Sequence, residues 1–343
     1  MKENKFIKPI SAVVFIIIAV VFLWFYPDEE KKKEEKKETY YCNTGQVFGT
    51  YYTIRYEAEQ DLDKEILARL QAFDGSMSTF NDTSIISRIN RNEEVQLDPY
   101  FLDMYNTASK VSELTHGAFD ITVAPLVNAW GFGFKKQEQV TDVVIDSLKQ
   151  LVGYEKISVF DNRLWKTNER IMLDASAIAK GQGCDVVAAL LAEKGCKNYL
   201  VDIGGEVVCQ GLNDKGEQWR IGITKPVDDP TGQQEEIQEV VSASALCMAT
   251  SGNYRQFYYD NGVRRSHTLD PRTGYPVEHS LLSATIIAPS CMEADALATA
   301  CMVIGTDSAL TLIEGLPNTE CYLIYADSDS LHVAQSTGMA RFL

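Results

Sequence analysis

The strand-like runs of this chain are clustered rather than alternating with helices, and that spacing restricts the fold more than any other feature. Residues 47–56 alternate as a strand does, and residues 156–160 and 170–174 are further short runs. "NYLVDIGGEVVCQG" reads as two strands broken at Gly204-Gly205. Runs at 219–224, 239–246, 255–259 and 281–289 follow, and "ECYLIYA" with "LHVAQ" closes the chain. Helical spacing marks 63–73, 99–116, 141–151, 178–194 and the strongly apolar 292–304. No strand–helix unit recurs at constant length, which argues against a doubly wound sheet. The expected class is α+β, with mixed, largely antiparallel sheets flanked by helices.

Residues 10–26, "ISAVVFIIIAVVFLWFY", carry no charge, and Lys2, Lys5 and Lys8 precede them. That length is at the short end for a spanning helix, and the lysines keep the N-terminus cytoplasmic. "FLWFYPDEE" offers no small-x-small cleavage site, so an uncleaved anchor is expected. "DEEKKKEEKKE" has no apolar face and reads as a solvated tether. The division is therefore a cytoplasmic N-terminus at 1–9, an anchor at 10–26, a charged linker at 27–39 and one exported catalytic domain at 40–343. The expected location is the inner membrane, single-pass, with the domain on the extracytoplasmic side.

The formal net charge of -16 excludes a nucleic-acid binder, because phosphate contacts need clustered Lys and Arg. An anionic ligand would need backbone amides or a metal to supply positive field. The eight cysteines are scattered without a CxxC pair, which points to buried free thiols and away from zinc.

Four islands carry chemistry, each with a plain alternative. "GAFDITVAPLVNAWGFG" sets Asp120 between apolar residues, as a helix cap or a ligand contact. "LDASAIAKGQGCD" runs strand, loop, helix, so amides at the helix start could face an anion, although GxxxxGK[ST] is absent. Gly204-Gly205 in "DIGGEVVCQG" marks either a bulge or a close approach. In "EADALATA", Asp295 and Thr299 stack on one helix face, as surface chemistry or as oxygen ligands for a hard cation such as Mg²⁺. A fifth stretch, "RRSHTLDPRTGYP", places His267 three residues before an Asp-Pro…Thr-Gly turn. It is either a structural turn histidine or a base of suitable pKa.

Preceded by "FGTYY" and "STFNDTSIISRIN", and with "ATSGNYRQF" and then the fifth stretch standing between the third island and the fourth, the islands in chain order resemble the FAD:protein FMN transferase family, the ApbE-type flavin transferases. The resemblance covers residues 47–305. It implies that FAD is the substrate, that it is split at its pyrophosphate with Mg²⁺ present, and that FMN passes to a threonine of an acceptor protein. Such acceptors are flavin-carrying subunits of membrane redox complexes, of the Na⁺-pumping or Rnf-like kind. The family pattern places flavin contacts at Phe48, Phe80, Ala118, Phe119, Asp120, Asp174, Lys180 and Leu269. It places metal ligands at the Ala177 carbonyl, Asp295 and Thr299, and the general base at His267. Ala298 stands where some members carry a further side-chain oxygen. Phe48 and Phe80 stand where others have Met and Tyr. Arg272 is open to a phosphate contact or a salt bridge within the turn. Two other functions fit the same motifs: a metal-dependent FAD pyrophosphatase giving FMN and AMP, and a non-catalytic flavin-binding envelope protein.

Overall fold

The structure, a computed structural model, describes residues 39–132, 140–226, 236–253, 257–260, 263–266, 268–327 and 330–343. Residues 40–343 form one compact unit. The proposed anchor at 10–26 and His267 both lie outside the described residues. Among the described residues, no helix is long and apolar enough to cross a membrane.

An eight-stranded sheet runs through the unit. Its spatial order is β1 (Thr39–Val47), β2 (Thr50–Ala58), β5 (Tyr199–Ile203), β6 (Glu206–Gln210), β9 (Ala245–Gly252), β12 (Leu281–Ile287), β13 (Glu320–Asp327) and β14 (Ser330–Gln335). Every pairing from β2 to β14 is antiparallel. Three two-stranded ladders accompany it: β3 (Ile157–Phe160) with β4 (Arg163–Lys166), β7 (Trp219–Thr224) with β8 (Ile237–Ala243), and β10 (Phe257–Asp260) with β11 (Val263–Ser266). The helices are α1 (Asp63–Met77), α2 (Ile85–Asn90), α3 (Pro99–Leu114), α4 (Ala124–Ala129), α5 (Asp142–Lys149), α6 (Ala179–Glu193), α7 (Cys291–Ile304) and α8 (Thr306–Glu314). The α+β class holds.

The middle strands β6, β12 and β13 are buried on both faces and read as nearly continuous apolar runs, whereas β2 alternates. Leu323, Cys321, Ala284 and Ile286 point into the cluster that contains Ile89, Phe101 and Leu297 from the helices. Their neighbours Tyr322, Ile324 and Ile287 point the other way, onto Trp219, Ile221 and Val241 of the β7–β8 ladder. In β6, Val208 joins the helix-side cluster, while Val207 and Cys209 join the opposite one. Glu206 therefore shares the helix-side face with Val208.

Several expectations change. The run expected at 47–56 is broken at Phe48-Gly49, which carry φ of 52° and 74° and turn β1 into β2. Positive φ at both turn residues suits the twist of a hairpin. The run at 170–174 forms no strand, because the Asn90 side chain takes both Leu173 backbone groups, at 2.7 and 2.9 Å. The run at 239–246 splits at Ser244, where the chain leaves the β7–β8 ladder and enters the main sheet as β9. Gly204 and Gly205, with φ of 68° and 99°, form a two-residue turn between β5 and β6. It is a close approach rather than a bulge, since a Cβ on Gly204 would lie 2.8 Å from Thr50. The eight cysteines are free, and six of them are buried.

Candidate active site

The site is built where α6 crosses α7. A Cβ on Gly181 would lie 2.3 Å from the Cys291 carbonyl oxygen and 2.8 Å from the Asp295 Cβ. The helices thus meet almost backbone to backbone, which only glycine permits at this position. At that contact the Gly181 N–H donates to Asp295 Oδ2 at 3.0 Å. An amide expected to face an anion at the start of α6 faces the chain's own carboxylate instead. One turn on, Asp185 accepts the N–H groups of Cys291 at 3.0 Å and Met292 at 2.8 Å. With the Ser290 hydroxyl, which takes the Glu293 N–H, it satisfies the first free donors of α7. Burial pushes the Asp185 carboxyl up to about 6, against the pull of its two amides.

Lys180 stands beside this crossing with two carboxylates. Its Nζ is 2.8 Å from Glu206 Oε1 and 3.7 Å from Asp295 Oδ1. Both carboxylates are 2% exposed, whereas the lysine side chain is 30% exposed. Burial alone would lower the ammonium pKa, but Asp295 and then Glu206 outweigh it and hold it above its ordinary value. Burial pushes the Glu206 carboxyl up, opposed by Lys180. The second oxygen, Glu206 Oε2, is buried without a hydrogen-bond partner among the described residues.

Thr299 follows Asp295 by one turn of α7, and its Oγ1 lies 3.2 Å from Ser251 Oγ at the end of β9. The Ala177 carbonyl, just before α6, accepts no hydrogen bond from the described residues. A carboxylate, hydroxyls and a carbonyl are the donor types that suit a hard cation. Among the described residues, no cluster of three His, Cys, Asp or Glu side chains could hold a metal ion. Water and substrate oxygens would complete such a site, as Mg²⁺ ordinarily requires. Ala298 is fully buried in the apolar core and contributes nothing to it.

The remaining expected residues have the following places. The Phe48 ring packs edge-on against Phe73 at 5.2 Å, and a Cβ on Gly183 would lie 2.9 Å from it. Phe48 is therefore seated against α6, one turn from Lys180. Its positive φ costs a non-glycine residue about 1–2 kcal/mol, held in place by the surrounding packing. Phe80 lies on the loop after α1 and is 76% exposed. Ala118, Phe119 and Asp120 are buried. Asp120 Oδ1 accepts the Thr122 N–H at 2.8 Å and its hydroxyl at 2.7 Å, so the capping alternative is realised. Burial raises the Asp120 pKa, against both Thr122 bonds. The Asp174 N–H donates to the Ile121 carbonyl at 2.7 Å, which brings the first two islands together.

The turn after His267 is closed on itself. Arg272 Nε and Nη2 each donate to Asp270 at 2.9 Å, so this arginine makes the salt bridge within the turn. Trp130 Nε1 donates to the Gly274 carbonyl at 2.8 Å, and Leu269 packs with Trp130 and Leu126. That contact docks the fifth motif on the first. Thr268, next to His267, donates through its hydroxyl to Asn253 Oδ1 at 2.5 Å. Asn253 lies two residues beyond Ser251, the partner of Thr299. Sequence reasoning missed Glu206 and Ser251, although both sit in the motifs it quoted, "DIGGEV" and "ATSGN".

A family model described as the ApbE family matches residues 48–323. The FAD:protein FMN transferase of Vibrio cholerae serotype O1 is 38% identical over 282 residues, covering 79% of this chain and 83% of that protein. The FAD:protein FMN transferase of Escherichia coli K12 is 34% identical over 315 residues, covering 87% and 88%. The solved structure of the flavin transferase ApbE from Vibrio cholerae matches with a TM-score of 0.80 at 36% identity, over 90% of this chain and 100% of that one. The chain belongs to the ApbE family. Its enzyme class is that of these relatives, a transferase acting in flavin transfer.

Proposed function

We propose that this chain is a Mg²⁺-dependent FAD:protein FMN transferase. It splits the FAD pyrophosphate, joins FMN through a phosphoester to a threonine or serine hydroxyl of an acceptor protein, and releases AMP. The observation that carries this reading is the convergence on Asp295 of Lys180, Gly181 and, through Thr299, Ser251. The Asp295 carboxylate, the Thr299 hydroxyl and the Ala177 carbonyl would hold the cation. When bound, it neutralises the diphosphate and stabilises charge on oxygens around phosphorus.

The chain's own residues supply the rest. Lys180, exposed on one side, offers a cation to the phosphates. Phe48, Ala118 and Phe119 offer the apolar surface that a flavin ring needs, with Leu269, Asp120 and Asp174 completing the contacts and Phe80 presented at the surface. The acceptor oxygen attacks the FMN phosphorus, the bond to the AMP phosphate breaks, and the hydroxyl proton must leave. His267 is the base for that proton. Support for this role comes from its chain neighbour Thr268, which is tied to the Asn253–Ser251 end of β9. The reaction is placed at the extracytoplasmic face of the inner membrane, held there by residues 10–26, with a subunit of a Na⁺-pumping or Rnf-like redox complex as acceptor.

The test uses the full chain in detergent with FAD, MgCl₂ and an acceptor fragment. Flavin fluorescence on the denatured acceptor, with AMP released in equal amount, is the expected result. FMN and AMP released without labelling would make the enzyme a pyrophosphatase, and FAD left intact would make it a flavin-binding protein.

A further inference from the structure

Glu206 has no role in the reading above, yet it is a buried carboxylate with a single side-chain partner among the described residues. Its Oε1 lies 2.8 Å from Lys180 Nζ, and its Oε2 has no hydrogen-bond partner among the described residues. A carboxylate in that position must be held by the one cation it touches. The same ammonium is 3.7 Å from Asp295 Oδ1, beyond hydrogen-bond reach. Asp295 Oδ2 is already occupied by the Gly181 N–H. Oδ1 is thus the oxygen that Asp295 has left for a cation.

We infer that Glu206 is a positioning residue which draws the Lys180 ammonium away from Asp295 and so keeps Oδ1 open for the metal. The inference rests on the Asp295 cation site proposed above. Lysine reaches its partners on a flexible four-carbon stem, so the movement of about an ångström that separates the two carboxylates costs little. The stem passes the Gly204 turn, where a Cβ would lie 3.4 Å from Lys180 Cδ. With Glu206 neutralised, the only carboxylate within reach of Lys180 among the described residues is Asp295, and the ammonium would compete with the metal for the same oxygen.

The experiment titrates Mn²⁺ alone into the full chain and reads free Mn²⁺ by electron paramagnetic resonance. Glu206→Gln keeps the shape of the side chain and removes its charge. Its affinity for Mn²⁺ should fall roughly ten- to a hundredfold, the usual scale for a group acting behind a metal ligand. In Glu206→Gln/Lys180→Met the competitor is gone, and affinity should return to within about threefold of wild type, a recovery that lost folding could not produce. Wild-type affinity in the single variant would overturn the inference, and so would a loss that persists in the double variant. Asp295→Asn separates the two levels. Should it bind Mn²⁺ as wild type does, the cation site itself is misplaced; should it lose binding while Glu206→Gln does not, only the role of Glu206 falls.

Discussion

Gly181→Ala gives the sharpest test of the helix crossing, because the usual expectation for this substitution has the opposite sign. Replacing glycine by alanine inside a helix ordinarily stabilises by about 0.8–1 kcal/mol. Here the new methyl would lie 2.3 Å from the Cys291 carbonyl oxygen, 2.7 Å from its carbon and 2.8 Å from the Asp295 Cβ. Two of these atoms are backbone, so no rotamer change relieves them, and α6 must move away from α7. Overpacking of this kind costs about 1–3 kcal/mol, and losing the Gly181–Asp295 hydrogen bond adds about 1 kcal/mol. Set against the helix gain, the net loss is about 1–3 kcal/mol, measured by urea unfolding of the full chain. Two other helical glycines calibrate the scale. Gly75 in α1 faces open space, so Gly75→Ala should stabilise by up to about 1 kcal/mol. Gly183→Ala meets the edge of the Phe48 ring at 2.9 Å, a side chain that can yield, and should fall between the two. A Gly181→Ala protein as stable as wild type would refute the packing argument, and one with wild-type Mn²⁺ affinity would separate the crossing from the site.

Three further outcomes are expected. Asp295→Asn keeps an acceptor for the Gly181 N–H but removes the charge, so FMN transfer should vanish at millimolar Mg²⁺ while the melting temperature moves by only a few degrees; retained turnover would sink the metal assignment. His267→Ala should slow transfer by about 10²–10⁴-fold, with the deficit shrinking as pH rises and FAD affinity unchanged, and a variant that also lost FAD binding would show a structural histidine instead. Asp185 has a folded-state pKa raised to about 6, above its unfolded value, so the folded chain holds that proton more tightly. Its contribution is full below pH about 4 and is lost as pH rises through about 6. Asp185→Asn should therefore flatten the stability profile between those values in urea melts at stepped pH, and an unchanged slope would exclude the group.

Local chemistry made most of the fold legible. β7 was read with its observed bounds, and the start of α7 to within one residue, because its run is strongly apolar. Where reading failed, a tertiary partner had overridden the local pattern. Phenylalanine is no turn signal, yet Phe48 sits at positive φ because its ring is held by Phe73. The apolar residues 170–174 looked like a strand until Asn90, more than eighty positions earlier, took their backbone bonds. α8 begins directly after Gly305 with no side-chain cap, and nothing in the sequence marked its start. At the site, glycines and carboxylates were visible as motifs, but burial was not. Glu206 looked like a polar residue following a turn, and only the packed sheet shows it to be nearly inaccessible.

The crossing of α6 and α7 also bears on how the protein matures. The Gly181–Asp295 hydrogen bond joins residues 114 apart in sequence, and the Asp185–Cys291 bond joins residues 106 apart. Between those positions the chain must lay down β5, β6, β9 and β12, so the crossing is a contact of high sequence separation whose closure entropy is met late in folding. A partly folded chain holds the two helices of the crossing apart. A ligand that recognises only the closed crossing stabilises only the finished molecule, by an amount that grows with the logarithm of its concentration. The supply of such a ligand would then govern how much of the folded molecule persists.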